Sequence, residues 1–287
     1  MQLQVNLTLL KILSLLFLAA VIHGCSGKKL VSQWDHRKIT IDGNDNDWET
    51  YPIEYNEDLD MVYGIANDKD ALNVMLSFQD NRLARMINAR GIVVWADGSG
   101  KKSRDLGIRY IDHNALDIGL ERLGRMSRGS PEELSRFREQ PAEISGNFYL
   151  LTADTTEIPP EGVKQVMAAA TYQDYAYCYE FRIPLTESPA TPYAVNAASG
   201  KSVKIGFEIA GVDEETRQQI EDMMRERRDA MRGQGGGFGA PGGGGGFGNR
   251  PPGGARGPGG SAAGSPEDMV ASLDAREIWL NVQLAGN

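Results

Sequence analysis

The sequence predicts an all-β fold: an antiparallel β-sandwich of jelly-roll or immunoglobulin-like layers with a few short helices and a Gly-rich inserted loop. Three observations predict it. Apolar and polar residues alternate along many short runs, Asn, Asp and Gly clusters separate those runs at sandwich spacing, and helical periodicity is confined to three stretches.

Residues 1–24 read as an address. One charge (Lys11) precedes an apolar run over 12–22, shorter than the roughly 20 residues a bilayer span needs. A charged start, a short apolar middle and a small-residue end are the layout of a secretory signal. Ile22, His23, Gly24 and Cys25 resemble a bacterial lipobox, with Cys25 as the lipidation site. Ser26 behind it is not an aspartate-type retention signal, which favours the outer membrane. The expected division is a signal peptide over 1–24, a tether over 25–37 and one sandwich domain over 38–287. With Cys25 lipidated, Cys178 is left without an internal disulfide partner. Its aromatic surroundings predict a buried, inert thiol.

A short strand over 38–42 runs into an Asx-rich turn ending on Trp48. Runs over 61–66 and 71–78 are joined by Asn67, Asp68, Lys69 and Asp70, a hairpin signal. In the second run Leu72, Val74, Leu76 and Phe78 share one face. The run 91–97 is apolar on both faces, as in a central strand, and a loop over 98–104 leads to a strand over 105–110. A hairpin joins 163–172 to 175–183, and 203–209 alternates as a further strand. Helical signal is limited to 81–89, 131–139 and 213–232. The last helix is acidic at its start and basic at its end, which suits the helix macrodipole.

Of the 34 glycines, 17 lie between 233 and 266. They keep no three-residue period, which excludes collagen. Beyond them, 277–285 alternates with Ile278, Leu280, Val282 and Leu284 on one face. So short a remainder has no core of its own, so this strand is expected to pair back into the sheet. The segment 233–266 is then a disordered loop inside one domain, tolerable because closure entropy grows only logarithmically with length. The formal charge of −9, from 30 Lys plus Arg against 39 Asp plus Glu, disfavours a nucleic-acid partner.

Asp42, Asn44, Asp45 and Asp47 are candidate calcium ligands, since carboxylates and amides offer hard oxygen donors. The spacing fails as an EF-hand, with Asp47 where glycine is required and Ile53 where a bidentate Glu belongs. Asx side chains capping a turn account for the cluster equally well. The loop 98–103 is not a phosphate loop, because Trp95 takes the first glycine position and Lys102 follows Lys101. Strand parity sets Arg109 against Ile108 and Tyr110, Glu180 and Arg182 against Tyr179 and Phe181, and Glu208 against Phe207. If those strands share a sheet, two arginines and two glutamates stand on its outward face. Guanidinium and carboxylate groups suit sugar hydroxyls, with aromatics for stacking; a cross-strand ion-pair ladder is the alternative. The carbohydrate-binding candidates are Trp95, Arg109, Tyr110, Glu180, Arg182 and Glu208, although Trp95 reads first as a core residue.

Residues 39–43 (ITIDG) with Asp47 and Trp48, the turn 67–70, 94–97 (VWAD) with 100–102 (GKK), and 179–185 (YEFRIPL) resemble family-9 carbohydrate-binding modules and their DOMON-like relatives. The resemblance covers roughly 38–284 and includes exported bacterial proteins with a Gly-rich insert before a final Trp-containing strand, here Ile278, Trp279 and Leu280. It implies a sandwich that binds sugars and often calcium, usually appended to a glycoside hydrolase; this chain has no room for the hydrolase. The expected function is a surface-anchored, non-catalytic lipoprotein that binds a polysaccharide or oligosaccharide, accessory to polysaccharide degradation, tethered to the membrane by its N-terminal lipid. DOMON-like relatives imply an alternative, haem held by Met, His or Lys, for which Met61, Met75, Met86, His36 and His113 are available without a marked pair. A third reading is an interaction protein docking to an envelope partner through 213–266.

Overall fold

A computed structural model describes residues 30–115, 136, 139–234 and 273–286. The signal peptide, Cys25, most of the helix expected over 131–139 and nearly all of 233–266 lie outside the described residues.

The strands are β1 (Leu30–Val31), β2 (Gln33–Trp34), β3 (Ile53–Asn56), β4 (Met61–Asn67), β5 (Ala71–Phe78), β6 (Ile92–Asp97), β7 (Gly107–Ile111), β8 (Asn147–Leu151), β9 (Thr155–Ile158), β10 (Met167–Gln173), β11 (Ala176–Pro184), β12 (Ser202–Ile209) and β13 (Arg276–Gln283). Among the described residues two α-helices accompany them, α1 (Asn81–Arg90) and α2 (Glu214–Gln234). A seven-stranded sheet runs β1-β13-β12-β6-β7-β8-β9; a six-stranded sheet runs β10-β11-β5-β4-β2, with β3 also on β4. The two sheets form a β-sandwich. Pairing is antiparallel except for the short parallel contacts of β1 with β13 and β2 with β4.

The alternation read from the sequence fills the space between the sheets. Leu72, Val74, Leu76 and Phe78, with Phe181 beside them on β11, face Ile92, Val94, Ile108, Tyr110 and Phe207 in one buried cluster. Each such side chain contributes about 1.5–3 kcal/mol of apolar burial. α1 closes one end of the sandwich with Leu83, Ala84 and Ile87. Asp80 caps it by accepting from the Arg82 N–H at 2.6 Å, and Gly91 ends it at φ 86°. The strand expected after the Gly-rich segment is β13, paired along its length with β12. Buried Arg90 donates to the carbonyls of Ala210 and Asp274 and so joins the chain on both sides of that segment. Burial pulls its pKa down to about 10. No described helix is long and apolar enough to cross a membrane.

Two expectations are corrected. The tether over 25–37 does not stop short of the domain: β1 and β2 enter one sheet each, and Ser32 between them binds both. Its hydroxyl donates to Asn67 Oδ1 and accepts from the Ala285 N–H at 2.9 Å. The strand expected over 38–42 does not form. Asp35 accepts from the N–H groups of Arg37, Lys38 and Ile39, turning the chain out of the sheet with Lys38 at φ 62°. Residues 35–51 then lie across the outer face of the six-stranded sheet. Ile39, Trp48 and Tyr51 pack there on Ala66, Met75 and Cys178 as a second buried cluster.

Candidate functional site

The six-stranded sheet has no open outer face where residues 35–51 cover it. Glu180 on β11 is fully buried there. Its Oε1 accepts from the Trp48 indole N–H at 2.7 Å, and its Oε2 from the N–H groups of Gly43 at 2.7 Å and Asp42 at 2.9 Å. Burial raises the carboxyl toward its neutral form and the three donors oppose that, leaving its pKa at about 7. Arg182, two residues along the same face, donates to Asn73 Oδ1 at 3.0 Å and pairs with Asp68 Oδ2 at 3.2 Å.

The loop before Trp48 uses its acidic groups locally. Asp42 Oδ1 accepts from the Asn44 N–H at 2.9 Å, Asn44 Oδ1 from Asn46 at 3.4 Å, and Asp47 Oδ2 from Thr40 at 2.9 Å. Asp45 opens a turn of 3₁₀ helix (Asp45–Trp48) capped by Asn44. Among the described residues no group of three or more His, Cys, Asp or Glu side chains is placed to hold a metal ion. The side-chain oxygens of Asp42 and Asn44 cap the turn locally.

The shared outward face expected for Arg109, Glu180, Arg182 and Glu208 does not form. Arg109, Glu208 and Trp95 stand on β7, β12 and β6 of the seven-stranded sheet; Glu180 and Arg182 belong to the other sheet, across the core. Tyr110 points inward, fully buried, with its hydroxyl bonded to Asn88 Oδ1 at 3.0 Å. Parity identified which side chains point away from the core. It carried no information on which sheet each strand joins.

The outer face of the seven-stranded sheet carries a different set. Trp279 on β13 stands opposite Gly206 on β12, which stands opposite Trp95 on β6, itself opposite Gly107 on β7. Each indole lies over the neighbouring glycine. A Cβ on Gly206 would sit 2.9–3.0 Å from three Trp279 ring atoms, and one on Gly107 as near as 2.5 Å to the Trp95 ring. The Trp95 indole N–H donates to Glu208 Oε2 at 2.8 Å, and that of Trp279 to Glu277 Oε1. Glu208 and Glu277 are directly opposed across β12 and β13, an arrangement that like charges disfavour. Arg104 resolves it by reaching Glu277 Oε2 at 2.7 Å and Glu208 Oε2 at 3.4 Å. Trp95 is 8% exposed and forms the underlayer, whereas Trp279 is half-buried and Glu277 and Arg104 are exposed.

Asp97 sets the loop that delivers Arg104. Its two oxygens accept from the Ser99 N–H at 2.7 Å and the Ser103 N–H at 3.0 Å. Burial works to raise the Asp97 carboxyl, but these donors prevail and hold it below its ordinary range. At Glu277 burial again acts upward, and the Trp279 N–H and Arg104 outweigh it. The hydrogen bond to Glu277 raises the Arg104 guanidinium in turn. Arg109 turns aside from this group: its Nη2 donates to the Arg90 carbonyl at 3.1 Å, and its Nε is buried with no hydrogen-bond partner among the described residues.

Trp279, Glu277 and Arg104 were not among the sequence candidates. A signal for two of them existed, since the alternation of 277–285 already sets Glu277 and Trp279 outward, opposite Ile278 and Leu280. Arg104 lies in a loop, where parity is silent. Of the residues available for haem, Met61 lies in the main core and Met86 packs against it, Met75 is on the other face of the same sheet as Met61, and His36 and His113 are at the surface. Cys178 is 4% exposed, and burial pushes its thiol well above the ordinary range, as expected of an inert thiol.

No family model matches the chain, and no curated protein does. Among solved structures it is similar to a family 9 carbohydrate binding module from Caldicellulosiruptor kristjanssonii in complex with glucose. That similarity has 13% identity and a TM-score of 0.35, and covers 66% of this chain and 81% of the module. It is also similar to a family 9 module of the same organism in complex with cellotriose, at 11% identity and a TM-score of 0.33, over 66% of this chain and 80% of the module. The likeness is one of fold.

Proposed function

We propose that this protein binds carbohydrate without transforming it, on the outer face of the seven-stranded sheet around Trp279. One observation carries the reading: a half-exposed indole lies flat on Gly206, its N–H fixed by Glu277, with Arg104 bridging Glu277 to Glu208. A flat aromatic face beside planar hydrogen-bonding groups is the chemistry that sugar rings require, apolar C–H faces against the ring and hydroxyls to the rim. Paired carboxylates alone do not make a glycosidase, which needs them separated across a cleft. Glu208 and Glu277 instead share one arginine on an open sheet.

Calorimetric titration against a glycan panel that includes glucose and cellotriose tests the proposal. Saturable binding is expected, weakened at least tenfold by Trp279→Ala while far-UV circular dichroism stays unchanged. No affinity tighter than millimolar for any sugar would sink it. In the same reading the chain is a lipoprotein anchored through Cys25, at the outer membrane and accessory to polysaccharide degradation. Incorporation of labelled fatty acid that persists in Cys25→Ala would exclude that anchor.

A further inference from the structure

The row of residues that begins at Glu277 continues across the seven-stranded sheet. Glu277 is opposed by Glu208, Glu208 by Val93, Val93 by Arg109, Arg109 by Tyr149 and Tyr149 by Glu157. Directly opposed residues of neighbouring strands point to one face, so this row shares the outer face with Trp279. The alternation along each strand agrees. Phe148 and Leu150 turn into the core on either side of Tyr149, and Ile158 does so beside Glu157.

Near the far end of the row, Tyr149 repeats the chemistry that surrounds Trp279. Its ring is half-buried, and exposed His113 packs edge-on against it, with ring centroids 5.5 Å apart at 73°. Its cross-strand neighbours are again a glutamate and an arginine, Glu157 and Arg109. Where such groups serve the fold they are tied to it, as the Glu180 carboxylate is to Trp48 and the Tyr110 hydroxyl to Asn88. The Tyr149 hydroxyl and the exposed Glu157 carboxylate have no partner among the described residues, and neither has Arg109 Nε. An aromatic ring with planar hydrogen-bonding groups at its rim suits a sugar here as it does at Trp279.

Trp279 and Tyr149 stand on β13 and β8, with β12, β6 and β7 between them. The Trp279 indole leans over Gly206 on β12, so the two rings are roughly three to four strand spacings apart, or about 14–19 Å. One sugar ring or a disaccharide does not bridge that separation, and an extended chain of roughly four linked units does. We infer that Tyr149 is a second sugar subsite, and that this face takes an extended oligosaccharide laid across the strands from Trp279 to Tyr149. The inference rests on the carbohydrate-binding reading of the Trp279 face and adds the length of its ligand. A chain that reaches both rings makes its second contact intramolecularly, so affinity climbs at the length that first spans them.

Calorimetric titration of the full chain with cello-, xylo- and manno-oligosaccharides of two to six units tests this. In at least one series affinity is expected to rise about tenfold or more between the disaccharide and the hexasaccharide. Tyr149→Ala is expected to remove that rise, with the disaccharide affinity and the circular dichroism unchanged. Glu157→Ala, which alters only an exposed side chain, is expected to weaken the hexasaccharide and not the disaccharide. Trp279→Ala is expected to weaken every length. Equal affinity for short and long chains overturns the second subsite and leaves the Trp279 site standing. So does a length dependence that survives both Tyr149→Ala and Glu157→Ala, or a Tyr149→Ala variant that loses short and long chains alike. Failure of every series at every length overturns the second subsite together with the reading on which it rests.

Discussion

The indole N–H of Trp48 donates to Glu180 Oε1 at 2.7 Å, joining residues 132 positions apart in a fully buried contact. Trp48 also lies over Gly64, where a Cβ would come within 2.7 Å of its ring. The same combination of indole, underlying glycine and accepting glutamate recurs as Trp95 with Gly107 and Glu208, and as Trp279 with Gly206 and Glu277. Three of the four tryptophans are thus held flat against a sheet by the same two devices. Trp48, 2% exposed, belongs to the segment that covers its sheet, whereas Trp279 is half-buried on an outer face.

Glu180→Ala should be the most damaging of the polar substitutions. It leaves three N–H groups, those of Trp48 and Gly43 buried, without an acceptor, and the loss should reach about 3 kcal/mol. Equilibrium urea denaturation measures it. A loss below about 1 kcal/mol would mean that residues 35–51 are held by their apolar contacts alone.

Stability should decline as the medium passes from mildly acidic to mildly alkaline. The folded pKa of Glu180, about 7, lies above its ordinary value of 4.5. Its contribution is therefore fully present below pH 4.5 and is lost as pH rises through 7, by up to about 3 kcal/mol. Glu180→Gln, which cannot ionise, should flatten the decline in denaturation midpoint between roughly pH 5 and 8. An unchanged slope would place the titration elsewhere.

The two glycines under the outer tryptophans should differ in tolerance. Gly107→Ala drives a methyl against the buried Trp95 ring and should cost about 1–3 kcal/mol. Gly206→Ala meets the half-buried Trp279, which can lift toward solvent, so the cost should be smaller while indole fluorescence shifts to the red. Thermal denaturation of the two variants gives the order, and a larger loss at Gly206 would contradict the underlayer role of Trp95.

Arg104→Ala should change charge more than stability. The side chain is half-exposed, so its ion pairs contribute at most about 1 kcal/mol. Its removal leaves Glu208 and Glu277 facing each other uncompensated, and the pKa of Glu277 should rise. Carboxyl chemical shifts followed by NMR titration report this, and an unmoved Glu277 would show that Trp279 alone holds its charge.

Asn67→Ala should loosen the N-terminal clasp. Asn67 Oδ1 accepts from the Ala285 N–H at 2.8 Å and its Nδ2 donates to the Ala285 carbonyl at 3.1 Å, beside the hydroxyl of Ser32. Unpairing these buried groups should cost about 1–3 kcal/mol. Hydrogen exchange should accelerate at β1 and β13 together; acceleration at β1 alone would mean that the two strands are held separately.

Much of this architecture is legible in the sequence because strand alternation, turn chemistry and caps are local properties. Leu72, Val74, Leu76 and Phe78 declare their face by spacing two apart, the acidic pair Glu214 and Glu215 marks the start of α2, and β13 declares its need for a partner by being too short to stand alone. The N-terminal segment carries no such mark. β1 and β2 are two residues each and exist only because β13 and β4 offer them edges, so 30–34 reads as tether. Residues 38–42 show the converse: their β-like pattern is real, but Asp35 takes three successive N–H groups and turns them out of the sheet.

The site divides along the same line. By itself the sequence determined that Arg109, Glu180, Arg182 and Glu208 point away from the interior, because inward and outward alternate with a period of two. It also determined that Glu277 and Trp279 share a face. Only the tertiary structure decided that β11 lies across the core from β7 and β12, because strand partners are chosen by pairing between distant segments and not by local pattern. That choice buried Glu180 beneath Trp48 and left Trp279, with Arg104 arriving from a loop, on the face that solvent reaches.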